Sequence, residues 1–315
     1  MQRRKLGTSG LELTTVGLGT WAIGGSWQYG WGPQDDQDSL DAIFEAMDCG
    51  INWIDTAPIY GCGDSESIIG KALRQMSEKP IIATKCGLLW NDKREKLNNL
   101  KKDSIQRECE DSLRRLGVEV IDLYQIHWPI PGKDIEEAWE AIDELIRQGK
   151  VRYGGVCNFQ IDCLERIQAI RPAASVQPPY SMLARGIERE LMGYCGEHGI
   201  GMVCYSPMHK GLLTGKFTKE YLSQMPDEDH RKKLDRDFKE PRFGQNLAIV
   251  EKLKTIAAEY GCPVGQIAIA WVLRRPEMTA AIVGARKKGQ ISQTAPAGDL
   301  VLREDTIQQI EAILS

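Results

Sequence analysis

A chain of 315 residues is long enough for two ordinary domains or one large barrel, and 42% hydrophobic with 27% charged residues is the composition of a globular protein. A formal charge of −4 argues against non-specific nucleic-acid binding, which needs a basic surface, and no apolar run approaches the ~20 residues that span a bilayer. The nine cysteines are odd in number, scattered and without a CxxC pair, which points to free thiols in a reducing, cytoplasmic setting and not to a disulfide framework or a zinc site.

In chain order, residues 5–7 and 11–14 flank Thr8-Ser9-Gly10, a hairpin turn with glycine supplying the awkward dihedral. Val16-Gly17-Leu18-Gly19 reads as a first buried strand, followed by a loop rich in Gly and Trp through Pro33 and a helix over about 34–48. The apolar run ending at Asp55 is a second strand, with Tyr60 on the loop beyond it and a helix near 65–75. Residues 80–84 lead to Lys85, and a helical stripe of Ile105, Cys109, Leu113 and Leu116 follows, stopped by Gly117. Residues 121–126 lead to His127, and Asp134-x-x-Glu137 reads as a capping box for a helix with Ile135, Trp139, Ile142 and Ile146 inward. A fifth strand, 151–156, ends at Asn158; a short sixth, 174–176, ends at Gln177; a seventh, 201–204, ends at Tyr205-Ser206-Pro207. The stretch 217–245 is too long to be a mere connector, and reads either as a flap over a ligand or as a solvated charged insertion. Helices over 246–260 and 263–274, a strand over 280–283 ending at Gly284, and a helix over 304–314 complete the chain.

Apolar strands separated by amphipathic helices make a parallel sheet, because each return must cross over. Eight such repeats close into a single (β/α)8 TIM barrel over residues 1–315, with an N-terminal β-hairpin, an extended loop after strand 7 and additional C-terminal helices. The runner-up, a doubly wound open sheet, lacks its G-x-G-x-x-G after the first strand.

Chemistry in such barrels gathers where the strands end, and here those ends carry Asp55, Lys85, His127, Asn158, Gln177, Tyr205 and Gly284. A tyrosine titrates near ~10 in water. A lysine cation beside its oxygen favours the phenolate, a carboxylate holds the lysine, and a histidine orients the reacting oxygen. Tyr60, Lys85, Asp55 and His127 together make an acid aimed at a carbonyl oxygen, given a cofactor that brings a hydride.

The motifs Leu18-Gly19-Thr20-Trp21, Asp55-Thr56-Ala57-x-x-Tyr60-Gly61, Thr84-Lys85, Gln125-Ile126-His127-Trp128, Gly155-Val156-Cys157-Asn158-Phe159, Tyr205-Ser206-Pro207 and Gly284-Ala285-Arg286 resemble those of the aldo-keto reductases over nearly the whole chain. The resemblance implies Tyr60 as proton donor, Lys85 and Asp55 as its tuning pair, His127 as orienting group, and NADP(H) lying extended across the barrel mouth. It implies Gly19, Thr20, Trp21 and Asp55 near the nicotinamide, Asn158 and Gln177 on its carboxamide, and Tyr205 on its ring. Ser206, Pro207, Met208, Lys210, Gly211, Leu212, Gly215 and Lys216 resemble the loop around the pyrophosphate, with Gly284 beside it. Arg286 and Gln290 match the positions holding the 2′-phosphate and adenine; Gln293 and Thr294 stand where the family commonly has Glu and Asn. Trp21, Trp90 and Trp128 are expected to wall a pocket for a small carbonyl or alcohol substrate. Two rivals remain: a cofactor-binding regulatory subunit, as in the related potassium-channel β subunits, and a barrel lyase using Lys85 as a Schiff-base nucleophile.

Overall fold

The computed structural model describes residues 1–315. An antiparallel hairpin of β1 (Arg3–Lys5) and β2 (Glu12–Thr14) precedes the barrel. Its left-handed glycine is Gly7, at φ 52°, not the Gly10 expected from the turn motif. Eight strands then close in parallel: β3 (Val16–Gly19), β4 (Trp53–Asp55), β5 (Ile81–Cys86), β8 (Ile121–Ile126), β9 (Val151–Cys157), β10 (Ser175–Gln177), β11 (Gly201–Cys204) and β12 (Met278–Gly284). Closure removes the open-sheet alternative. An antiparallel pair that the sequence reading missed, β6 (Leu88–Trp90) with β7 (Lys96–Asn98), stands on the loop after β5.

Helices α1 (Asp36–Asp48), α2 (Asp64–Leu73), α3 (Lys102–Leu116), α4 (Ile135–Arg147), α5 (Ile161–Gln168) and α6 (Leu191–Glu197) return the chain between strands. The side chain of Asp35 caps α1 by accepting from the backbone N–H groups of Gln37 and Asp38. The capping box expected at α4 does not form: Asp134 and Glu137 both turn outward to the ammonium of Lys101, each at 2.8 Å. Beyond β11 come α7 (Lys219–Gln224), α8 (His230–Leu234), α9 (Arg242–Glu259), α10 (Val264–Leu273) and, last, α11 (Glu304–Leu314). No single helix is long and apolar enough to cross a membrane; α9 and α10 qualify only as a pair bent by 89°, and every residue of α10 is buried within the protein.

Strand alternation sorts side chains between two apolar layers. Outward residues such as Ile54, Ile82, Tyr124, Ile126 and Val176 join the helices in the main core, while Trp53, Ala83, Leu123, Val203, Ala280 and Ile282 fill the barrel with Leu6, Leu11 and Leu13 of the hairpin. The hairpin thus plugs the end where the strands begin. One step further along the inward rows stand Asp55, Lys85, Gln125, Cys157 and Gln177, so the apolar filling gives way to polar groups toward the other end.

Gly17 makes this filling possible. A Cβ there would lie 2.0 Å from Cε2 of the fully buried Trp53, a rigid ring held by its indole N–H to the carbonyl of Thr14 at 2.9 Å. We expect Gly17→Ala to destabilise the fold by about 1–3 kcal/mol, the usual range for overpacking. A urea midpoint unchanged from the parent, at unchanged slope, would show that Trp53 has room to move.

Candidate active site

Strand register places Asp55 beside Ala83 and Lys85 beside Gln125, with all four side chains on inward rows of adjacent strands. The ammonium of Lys85, fully buried, donates to Asp55 Oδ1 at 2.7 Å, the Thr56 carbonyl at 3.0 Å and the Tyr60 hydroxyl oxygen at 3.2 Å. Asp55 Oδ2 accepts from Gln177 at 2.7 Å and Gln125 at 3.4 Å. The carboxylate is therefore satisfied on both oxygens, and the lysine is aimed at the phenol.

Tyr60 reaches this position through a tight backbone approach. Gly61 sits at φ 66°, and a Cβ on it would come 1.9 Å from the carbonyl oxygen of Gly24, so the two loops touch backbone to backbone. The Tyr60 ring stacks on Trp21 with centroids 6.5 Å apart and meets the His127 ring edge-on at 5.9 Å.

Burial pushes the Tyr60 hydroxyl above the ordinary tyrosine value, and Lys85 pulls it back only in part. The lysine acts in the direction expected from sequence, but desolvation exceeds it, so the resting site holds a protonated phenol. Burial on its own would favour a neutral lysine, yet Asp55 and Tyr60 hold Lys85 above its usual value as a cation. That speaks against the lyase alternative, since a Schiff-base nucleophile must be a free amine. His127 is driven well below the usual histidine value by burial and then by Lys85 and Lys96, so its ring is neutral; its Nδ1 is buried without a partner.

Residues flanking Lys85 are tied down by two carboxylates that were not singled out from sequence. Glu66 of α2, fully buried, accepts from Thr84 at 2.6 Å and from Arg115 at 2.7 Å. Glu108 of α3 accepts from the backbone N–H of Gly87 at 2.8 Å, and burial pushes its carboxyl up to about 7. Lys85 thus rides on a strand fixed on both sides. A buried carboxylate at helical spacing beside a strand-end lysine is the signal that would have found them.

Asp55, Tyr60 and His127 open into a cavity of about 530 Å³, with Lys85 buried behind them, and its wall includes Gly19, Thr20, Trp21, Asn158, Gln177, Tyr205 and, farther off, Ser206, Pro207, Met208, Lys210, Gly211, Lys216, Gly284 and Gln290. Asn158 donates to the His127 carbonyl at 3.1 Å and accepts from the Tyr205 hydroxyl at 2.9 Å. Burial pushes the Cys157 thiol up to about 12, leaving it protonated under the site. The only carboxylate in the wall is Asp55, already matched by Lys85, whereas Lys210, Lys216 and Arg231 all face in. Ser206, His209 and Lys210 adopt left-handed φ of 56°, 48° and 56°, a strained run that turns backbone toward the cavity. An extended dinucleotide carrying a pyrophosphate fits this donor set.

Some of the expected site residues lie outside the cavity. Leu212 is fully buried in a small cluster with Phe217, Met225, Phe238 and Phe243, and Gly215 packs against Val264; neither lines the cavity. Trp90 also lies outside it, under the guanidinium of Arg115 at 5.9 Å. Trp128 does line it and is 39% exposed. Gln290 holds the backbone N–H of Arg286 at 2.7 Å, but the guanidinium of Arg286 donates to the carbonyls of Trp31 and Pro33 and to the side chain of Gln34, at 3.1, 2.6 and 2.8 Å. Arg286 braces the opening loop and does not face the cavity.

The insertion 217–245 packs one side against the opening loop and the cavity and leaves most of its residues exposed to solvent. His230 donates its backbone N–H to the Gly30 carbonyl at 3.3 Å, and the Arg231 guanidinium lies 3.9 Å over the Trp31 ring while pairing with Asp229. Tyr221, His230 and Arg231 roof the cavity from this side. None of the three was singled out from sequence.

A family model described as "Aldo/keto reductase family" matches residues 15–315. The chain is 38% identical to the Bacillus subtilis aldo-keto reductase YhdN over 317 residues, covering 100% of this chain and 94% of that one. It is 34% identical over 319 residues to a protein of Escherichia coli named NADH-specific methylglyoxal reductase, covering 96% and 95% of the two chains. The structure of a glycerol dehydrogenase from Gluconobacter oxydans superposes with a TM-score of 0.90 at 37% identity, covering 99% of this chain and 94% of that one.

Proposed function

The chain belongs to the aldo/keto reductase family, an oxidoreductase class acting on carbonyl compounds with nicotinamide cofactors, and from that premise we propose that it reduces an aldehyde or ketone to an alcohol with NADPH. The observation that carries the proposal is the relay Asp55–Lys85–Tyr60, with a phenolic proton donor 3.2 Å from a buried cation.

Gly19, Thr20, Trp21, Asn158, Gln177 and Tyr205 would hold the nicotinamide end, with Lys210, Lys216 and the turn after Ser206 on the pyrophosphate. When bound, the cofactor supplies the hydride. Tyr60 donates its proton to the carbonyl oxygen as negative charge develops there, and Lys85 stabilises the phenolate left behind. Asp55 keeps Lys85 in place, and neutral His127 donates to the same oxygen and orients it. Solvent entering the cavity returns the proton to Tyr60.

The preference for NADPH over NADH is expected to be modest. Arg286 reaches a 2′-phosphate only by exchanging three existing hydrogen bonds to the opening loop, so the gain is the difference between two charge-assisted sets. We expect Kd values differing by about tenfold, a gap of ~1.4 kcal/mol. Arg286→Ala should narrow that gap; an unchanged ratio would remove Arg286 from cofactor choice. The E. coli relative is named as NADH-specific, so the titration should be run with both nucleotides.

Tryptophan fluorescence during the titration, then nicotinamide absorbance with a panel of aldehydes, ketones and sugars, tests the whole reading. Tight binding without turnover would move it to a regulatory subunit, and no binding of either nucleotide would sink it. All nine cysteines are free, which suits work in a reducing cytoplasm.

A further inference from the structure

The β6–β7 hairpin carries one cation into the cavity that nothing neutralises. Lys96 opens β7, pairs in register with Trp90, and lines the cavity together with Leu88 across the hairpin. Of the other cations in that wall, Lys210 pairs with Asp235 and Arg231 with Asp229, while Lys216, in the loop beyond β11, donates to the neutral amide of Gln293 at 3.3 Å. Lys96 makes no ion pair, and its ammonium lies 5.6 Å from the centre of the Tyr29 ring. A ring quadrupole at that distance attracts a cation without cancelling its charge.

The position relative to the chemistry is defined by two rings. Tyr29 meets Trp27 edge-on at 5.5 Å, and Trp27 lies 6.2 Å from Tyr60, so Lys96 stands across two aromatic side chains from the proton donor. Its charge reaches His127, whose proton affinity it lowers. Ile59, Leu88 and Trp128 line the same cavity beside Tyr29, His127 and His230, none of which carries a negative charge. A part-buried, unpaired ammonium in such surroundings favours an anion in the space before it.

We propose that Lys96 is a specificity-determining residue that takes the carboxylate or phosphate of an anionic carbonyl substrate, whose carbonyl oxygen is placed at Tyr60. The proposal rests on the carbonyl-reductase reading and deepens it. In the reaction the hydride adds to the carbonyl carbon, the proton of Tyr60 goes to the oxygen, and the anionic group is carried through unchanged. An ammonium is a point charge without the fixed fork of a guanidinium, so Lys96 accommodates carboxylate and phosphate alike.

The test compares matched pairs with the full-length chain and NADPH: 4-carboxybenzaldehyde against benzaldehyde, succinic semialdehyde against butanal, and glyceraldehyde 3-phosphate against glyceraldehyde. The anionic member of at least one pair should be preferred by about 10- to 100-fold in kcat/KM, mostly through KM, the scale of one charge-assisted contact. Which pairs respond separates carboxylate from phosphate. Lys96→Met should bring the ratio near one, Lys96→Arg should keep most of it, and Lys96→Glu should invert it. A parent without preference, or a ratio unchanged in Lys96→Met, overturns the assignment while leaving the reductase intact. Absence of turnover of every compound with either nucleotide overturns the reductase reading and this one with it.

Discussion

Tyr60→Phe is expected to lower the rate of carbonyl reduction by about 10²- to 10⁴-fold, the usual contribution of a positioned acid, with nicotinamide cofactor bound nearly as before. The substitution removes one oxygen and keeps the ring, so the packing on Trp21, Trp27 and His127 is preserved and a loss of activity reports the proton. The pH profile carries a second mark of the same group. Because burial raises the Tyr60 hydroxyl despite Lys85, the acid stays protonated through neutral pH, and the reduction rate should fall only beyond the ordinary tyrosine value of ~10. No inflection is expected near the ordinary histidine value, since His127 is held neutral. Stopped-flow measurement of a single turnover reads both. A Tyr60→Phe variant retaining more than about a tenth of the parental rate would assign the proton to another donor.

Lys85→Met should be costly twice over. It removes the cation that supports the phenolate, and it leaves Asp55 as a buried carboxylate whose remaining donors are the amides of Gln177 and Gln125. Breaking a buried pair from one side typically costs about 3–5 kcal/mol. The double variant Asp55→Asn with Lys85→Met carries no stranded charge, and should regain much of the stability and none of the activity. Denaturant midpoints check the first claim. A single variant as stable as the parent would mean that water reaches Asp55.

The central four were legible because a barrel strand writes its exit plainly: an apolar run closing on Asp55, Lys85 or His127 has few other meanings once it recurs. The eight-fold repeat was legible for the same reason. The bracing contacts of Arg286 were not legible because its partners, Trp31, Pro33 and Gln34, lie some 250 residues away, up to 255 in the case of Trp31, and no local pattern links them. The β6–β7 hairpin escaped because its strands are three residues each, with a charged turn between, too short to show alternation. The flap was ambiguous because Phe217, Met225, Phe238 and Phe243 gather in space without any period in sequence. Trp90, read as pocket wall, is instead a surface for Arg115, a choice made by α3 and invisible in its own neighbourhood.

The Asp55–Lys85 pair and Lys96 are carried by different parts of this chain. Asp55 and Lys85 stand on neighbouring barrel strands whose register is fixed by continuous pairing, whereas Trp27, Tyr29, Lys96 and His230 belong to segments outside the barrel strands. Changes in those segments leave the strand register and the Asp55–Lys85 contact untouched. The β6–β7 hairpin can therefore be rewritten at Lys96 without disturbing that pair, whereas the opening loop, whose Gly24 backs Gly61 and whose Trp27 packs on Tyr60, cannot be changed without moving Tyr60.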